Sequence, residues 1–359
     1  MRWLMITRKL DPADNHVGFV VGWVRALAAR LDDLDVICQE TAQPALPDNV
    51  RAFSMGKEAG AGRLAQAWRF TQHLRALTPE IDGFFCHMIP RYVLFAAPWA
   101  RVYRKPLLLW YTHRQISPEL RLASALATRI MTASPGSFPL RSSRLAVMGH
   151  GIDASLFPPS QVENDPLEIV LVARLARIKR QDWLLRAASQ VMARGDVRPF
   201  RVLLVGGPVE GEPDTPAELE RLAAQLDPAP TVAFVGPLAH SQVADVIRGC
   251  AFAVNLSPPG LFDKAALESM LAGKPTLVVN PDFLSVLGEA ADILYLPEDA
   301  DADAMLRCLA DRLARLLAMS PEERAALGML LRERTLAAHS LDGLMDRMVT
   351  LMREAASHA

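Results

Sequence analysis

Apolar residues recur along this chain with two alternating spacings. Short runs dense in Leu, Val, Ile and Phe alternate with longer stretches whose apolar positions return every three or four residues. The first kind reads as buried strand and the second as amphipathic helix. In the first half, RWLMIT is a strand, the polar loop RKLDPADNHVG follows, and FVVGWVRALAARL is a helix. LDVICQ, IDGFFCHM and PLLLWYTH are further strands, the last ending in His113. GRLAQAWRFTQHLRAL and PELRLASALATRIM have helical spacing; TAS is a very short strand and LAVMGHGID closes the half.

Asp153 to Pro166 is rich in Pro, Ser, Asp and Asn and reads as a linker. The alternation then restarts. LEIVLVA, FRVLLVGG, TVAFVG, FAVNLS, PTLVVN and DILYL are expected strands. DWLLRAASQVMAR is a helix stopped by Gly195, and AELERLAAQL and SQVADVIRGC are helices. Three helical segments end the chain: DADAMLRCLADRLARLLAM, PEERAALGMLLRERTLAAH and LDGLMDRMVTLMREAA. Strands alternating with helices predict α/β architecture, with parallel sheets covered on both faces. At 359 residues, two domains are the natural division.

Composition narrows the class. Apolar residues make up 51% and charged residues 22%, as in an ordinary globular protein. No apolar run is long enough for a membrane span, since FFCHMIPRYVLFAAPWA is interrupted by His87, Pro90 and Arg91. The opening MRWLMITRKLD is too short in its apolar part for a secretory signal. Cys38, Cys86, Cys250 and Cys308 form no CxxC pair, so neither disulfide nor metal use is expected, and a reducing cytoplasm is the default. Net charge is −1 overall, but residues 1–160 carry +7 and residues 161–359 carry −8. Such a split suggests different partners for the two halves.

The candidate chemistry lies mostly between Ile169 and Asn280. Arg174 and Lys179 follow a strand and precede a helix, where cations join a helix N-terminus in binding phosphate. Glu268 sits on a short helix with Asp263 as its expected N-cap and Gly273 as its stop. A carboxylate there suits a pair of ribose hydroxyls. Gly206, Gly207 and Gly236 lie just after strands, where backbone can approach a nucleotide or simply turn. Gly18 begins the first long helix after a polar loop; no GxGxxG is present, which argues against a dehydrogenase. His113, at a strand end, is suited to hydrogen-bond a sugar hydroxyl or carry a proton; His16, His87 and His150 are weaker candidates. No Ser-His-Asp order, HExxH or Walker loop is found.

On these residues the C-terminal half resembles the donor domain of family 4 glycosyltransferases of the GT-B fold. Arg174 and Lys179 match the family's Arg-x4-Lys pair, which binds the donor diphosphate. Glu268 matches the second glutamate of Glu-x7-Glu, which holds the ribose. TRKLDPADNHVGF, WYTH and VMGHGIDASLF are similar to a bacterial branch of the family, so the resemblance covers nearly the whole chain. It implies two Rossmann-like parallel-sheet domains facing across a cleft. Residues 1–155 would take the acceptor and 156–335 the donor, with 336–359 crossing back to the first domain. It also implies a retaining transferase acting in cell-envelope glycan or glycolipid synthesis. The donor would be UDP- or GDP-linked, with no metal or other cofactor and no nucleic-acid partner. His113 would be an active-site histidine, and the Gly18 loop would face the donor phosphates. His150 stands where the family commonly has asparagine.

One departure concerns the sugar. The first glutamate of Glu-x7-Glu should fall at 260, and this chain has Gly260. Asp263, Lys264 or the backbone amides near Leu261 and Phe262 are the candidates to take over part of its contact. Two alternatives stay open beside the transferase: a non-catalytic nucleotide-binding subunit of the same fold, and a nucleotide-sugar epimerase. Arg63, Arg69 and Arg75 beside Trp68 and Phe70, and Arg101, Arg104 and Lys105 after Trp99, suggest a lipid-linked or anionic glycan acceptor met peripherally at the inner membrane face.

Overall fold

The computed structural model describes residues 1–14, 17–195, 197–298 and 301–357. By contact the chain divides into two units: Met1–Gly151 with Leu341–Ala359, and Ile152–Ser340.

Unit 1 runs β1 (Arg2–Leu10), α1 (Phe19–Ala28), β2 (Asp33–Thr41), β3 (Val50–Ser54), α2 (Arg63–Leu77), β4 (Gly83–His87), α3 (Pro90–Val102), β5 (Leu107–Trp110), α4 (Pro118–Leu126), β6 (Arg129–Thr132) and β7 (Leu145–Val147). The strands form one parallel sheet in the order β3-β2-β1-β4-β5-β6-β7. Trp3 to Thr7, all of β4 and all of β5 are buried, which is why these strands read as unbroken apolar runs.

Several elements differ from the sequence pattern. β3 and α3 were not among the expected elements. β3 is an edge strand with no buried residue, so it carries no apolar run. α3 has Pro98 inside it, and its apolar residues are spread around the helix. The helix expected to run to Met131 ends at Leu126: Ala127 is extended at φ −66 and ψ 137, and Arg129–Thr132 forms β6 in place of TAS. β5 ends at Trp110, so His113 lies three residues beyond the strand rather than at its tip.

Unit 2 runs β8 (Leu167–Val172), α5 (Gln181–Met192), β9 (Phe200–Val205), α6 (Thr215–Gln225), β10 (Val232–Gly236), α7 (His240–Gly249), β11 (Phe252–Asn255), α8 (Lys264–Leu271), β12 (Thr276–Val278), α9 (Leu284–Leu287), α10 (Ala291–Leu294), α11 (Ala302–Ala318) and α12 (Pro321–His339). Its five strands are parallel, ordered β10-β9-β8-β11-β12. DILYL is mostly the short helix α10; only Tyr295 bridges to Val278. α12 starts with a full capping box, Ser320 to Glu323, with Pro321 in its first turn. It crosses α8 so closely that a Cβ on Gly328 would lie 1.8 Å from the Gly273 carbonyl oxygen.

The segment that reads as a linker is a strap held onto unit 2. Phe157 is fully buried, Ser160 N donates to Ala272 O at 3.1 Å, and Lys274 Nζ donates to Val162 O at 2.8 Å. The chain ends in α13 (Leu341–Ser357), which belongs to unit 1. There Arg30 donates to Asp342 and Asp346 at 2.9 and 2.6 Å, and Arg347 to Met148 O at 2.7 Å.

Candidate functional site

Unit 2 gathers its polar chemistry at the carboxyl ends of β8 and β11. These neighbours flank the point where strand order reverses, the usual ligand position in an open parallel sheet. The β8 loop is shaped by glycine. Gly206 has φ +144, and a Cβ there would sit 2.0 Å from Ala173 O. Gly206 N donates to Gly236 O at 2.9 Å and Leu175 N to Gly207 O at 2.7 Å, so all three glycines serve this close backbone packing. The packing presents Arg174, which is exposed and whose carbonyl accepts from Gln181 Nε2 at 2.9 Å. Among the described residues its guanidinium has no ion pair.

Lys179 is not exposed in the same way. Its ammonium lies between Asp263 and Ser257, at 2.9 and 2.7 Å from the two Asp263 oxygens and 3.1 Å from Ser257 Oγ. Asp263 also accepts from Asn255 Nδ2 at 3.0 Å and from Ser257 Oγ. Asp263 does occupy the N-cap position of α8, but its side chain makes no capping bond, contrary to expectation. The other loop cations differ from each other. Arg177 pairs with Glu218 at the surface, whereas Arg180, at φ +56, pairs with Glu298 at 2.6 Å and lies 4.7 Å over the Trp183 ring.

Gly260 lies in a tight turn. Leu261 N donates to Pro258 O at 3.1 Å, with Gly260 at φ +83 in the third position. Pro at the second place and a positive φ at the third are the type II pattern, which glycine adopts without cost. The turn leads into α8, where Glu268 is buried and Lys264 half-buried. Loss of solvent lowers the Lys264 pKa to about 8, partly offset by the Glu268 charge.

Glu268 has a partner that the sequence did not suggest. His240, the first residue of α7, places Nε2 3.1 Å from Glu268 Oε1 and its ring edge-on to Phe157. The Glu268 hydrogen bond raises the His240 pKa, against a smaller opposing effect of burial. A raised histidine pKa adds stability fully below the unfolded value of 6.5, and loses it as pH rises through the folded value. His240→Gln is therefore expected to lower the melting temperature more at about pH 5.5 than at about pH 8.5. Equal losses at both pH values would uncouple the pair. His240, Asn255 and Ser257 were missed by sequence reasoning. The only signal was polar residues placed just after β10 and within or just after β11.

Unit 1 holds the remaining candidates. Gly18 is fixed by close approach: a Cβ would lie 2.6 Å from Asp14 O and 2.8 Å from Pro12 O. His113 is exposed, and its Nδ1 accepts from Gln115 N at 3.1 Å. It lines a cavity of about 910 Å³ with Met55, Phe70, Tyr92 and Tyr111, and with Arg63 and the ion pair Arg91–Glu119. His87 is a core residue. It is buried, bonded to Thr7 Oγ1 at 3.1 Å and ringed by Phe19, Trp23 and Phe85. His150 is buried too, and His16 lies outside the described residues. Phe70 is core, and Arg69 turns inward toward Met55 O, so neither is a surface anchor. Among the described residues, no cluster of His, Cys, Asp or Glu has metal-site geometry, and no helix is long and apolar enough to cross a membrane.

Residues 166–315 match the family model for glycosyl transferases group 1. Arg174, Lys179, Asp263 and Glu268 all lie in that stretch. D-inositol 3-phosphate glycosyltransferases are similar in sequence. That of Rhodococcus opacus is 30% identical over 223 residues, 58% of this chain and 49% of the relative. That of Nocardia farcinica is 32% identical over 148 residues, 40% of this chain and 33% of the relative. The chain thus spans about half the length of the first of these relatives. In fold it is similar to Anabaena HepE in complex with UDP, at TM-score 0.73 and 17% identity over 99% of this chain and 100% of that one. It is equally similar to sucrose-phosphate synthase from Thermosynechococcus elongatus, at TM-score 0.73 and 19% identity, with both chains fully covered. The architecture of two parallel-sheet α/β units is that of the GT-B fold.

Proposed function

We propose that this chain is a retaining glycosyltransferase that moves a sugar from a nucleoside-diphosphate sugar to an acceptor hydroxyl. The observation that carries this is the meeting of Lys179 with the head of α8, beside exposed Arg174, at the strand-order reversal within the stretch matching group 1 glycosyl transferases. Arg174 and Lys179 would take the diphosphate and stabilise the charge that develops as it leaves, the term that dominates such catalysis. Glu268 would accept from the ribose hydroxyls while His240 holds its other side. The sugar side has Gly260 in place of a glutamate, and Lys264 at the start of α8 would supply a contact. His113 would position the acceptor hydroxyl.

The test is incubation of the purified chain with UDP-, GDP- and ADP-sugars. At least one nucleoside diphosphate should raise the melting temperature, and its sugar should be consumed with release of the diphosphate. No stabilisation and no turnover with any of them would overturn the assignment. Nucleotide binding without turnover would favour a non-catalytic subunit, the second reading that Gly260 supports. A changed sugar still joined to its nucleotide would mark an epimerase.

The cavity of unit 1 suits an amphipathic acceptor, with Met55, Phe70, Tyr92 and Tyr111 in its lining and Arg63 beside them, while its Lys57 and Arg91 are paired with Glu40 and Glu119. Leu64 and Trp68, 88% and 64% exposed, share one face of α2 with Arg75; Val102 and Tyr103 are exposed at the end of α3 beside Arg101 and Arg104. This face and the +7 charge of residues 1–160 support a lipid-linked acceptor at an anionic membrane surface, in envelope glycan or glycolipid synthesis. The chain should sediment with anionic vesicles at low salt. Changing Arg63, Trp68 and Arg75 together to Glu should release it. Retention of that variant on the vesicles would sink the docking face.

A further inference from the structure

The start of α8 lacks a capping bond that its own sequence could supply. Asp263 stands at the N-cap with extended dihedrals, φ −75 and ψ 131, yet its side chain accepts no amide of the helix. Aspartate is among the best N-cap residues, because its carboxylate takes an orphan N–H of the first turn. Here the carboxylate is turned to an ammonium, a hydroxyl and an amide: Lys179 Nζ at 2.7 and 2.9 Å, Ser257 Oγ, and Asn255 Nδ2 at 3.0 Å. These donors surround the carboxylate as they would surround a phosphate. The ion pair is also sheltered, with its side chains 12% and 22% exposed, so it does not exchange freely with water.

We propose, building on the donor assignment above, that Asp263 limits the affinity of unit 2 for diphosphates: its carboxylate holds Lys179 in a phosphate's place, and a diphosphate binds by displacing it. The displaced carboxylate has a second seat close by, at the first turn of α8, whose amides an N-cap carboxylate takes. Moving between two satisfied positions costs less than stranding a charge.

Asp263→Ser tests this while keeping a good N-cap; Asp263→Asn, also a good cap, gives the same comparison if the serine variant fails to fold. Calorimetry with UDP, GDP and ADP should show the nucleotide that binds wild type binding either variant about tenfold more tightly, the scale of one freed charge-assisted contact. In a Lys179→Ala background the same substitution should change affinity little. Weaker or unchanged binding in Asp263→Ser would overturn the proposal and make Asp263 a residue that positions Lys179. An equal gain in both backgrounds would also overturn it, since the carboxylate would then act only through space. If folded wild type and both variants bind none of the three nucleotides, the donor assignment fails and this proposal fails with it.

Discussion

A chain carrying both Arg174→Ala and Lys179→Ala is expected to lose nucleoside-diphosphate affinity by at least about tenfold, and by about a hundredfold if the two contacts are independent, while its melting temperature stays near wild type. Each cation offers a charge-assisted hydrogen bond to phosphate, worth about 1.5–3 kcal/mol, or roughly tenfold or more in affinity. The two losses need not add, because both groups would serve the same diphosphate. Folding should be spared for different reasons at the two positions. Arg174 is exposed, with no ion pair among the described residues. Loss of Lys179 leaves Asp263 with Ser257 and Asn255 as hydrogen-bond partners. Calorimetry on the folded variant is the measurement, and wild-type affinity in the double variant would remove the diphosphate from this loop.

The second large effect is on stability. Arg324→Ala is expected to destabilise unit 2 by about 3–5 kcal/mol, the usual cost of removing one member of a buried ion pair. Arg324 is 1% exposed and holds three pieces of the unit together. Its Nε and Nη2 donate to Glu163 at 2.7 and 2.5 Å, and its Nη1 donates to Leu316 O and Met319 O at 3.1 and 2.6 Å. The alanine variant leaves the Glu163 carboxylate without its guanidinium and frees the carbonyls at the end of α11. Urea unfolding should show a lower midpoint, and Arg324→Lys should recover part of it through one retained charge. A midpoint within experimental error of wild type would mean the strap residues 153–166 are not held through this pair.

Some of the candidate site was legible because its signals are local. Arg174 and Lys179 were visible as cations between an apolar run and a helix, and Glu268 as a carboxylate on a short helix ending at Gly273. His240 was not visible. It lies 28 residues from Glu268 in sequence and reaches it only because α7 and α8 both follow strands of one sheet. Asp263 was visible as an N-cap, but its actual partner, Lys179, is 84 residues away, and a charge pairing at that separation has no periodicity to reveal it. His87 and Phe70 misled for the opposite reason. Residue type suggested function or surface, while neighbours distant in sequence buried both.

The sequence by itself determined the repeated alternation of buried runs and amphipathic helices, and with it two parallel-sheet α/β units. Burial on both faces forces a parallel strand to be apolar throughout, and that demand is written locally. Only the tertiary structure decided what the polar side chains do. It made the Pro-rich segment before β8 a strap, because Lys274 and Arg324 reach its carbonyl and carboxylate from far along the chain. It turned the Asp263 carboxylate from its own helix to Lys179. A capping bond and an ion pair compete for one carboxylate, and the winner depends on which donors the sheet brings within hydrogen-bond distance, information that no window of sequence contains.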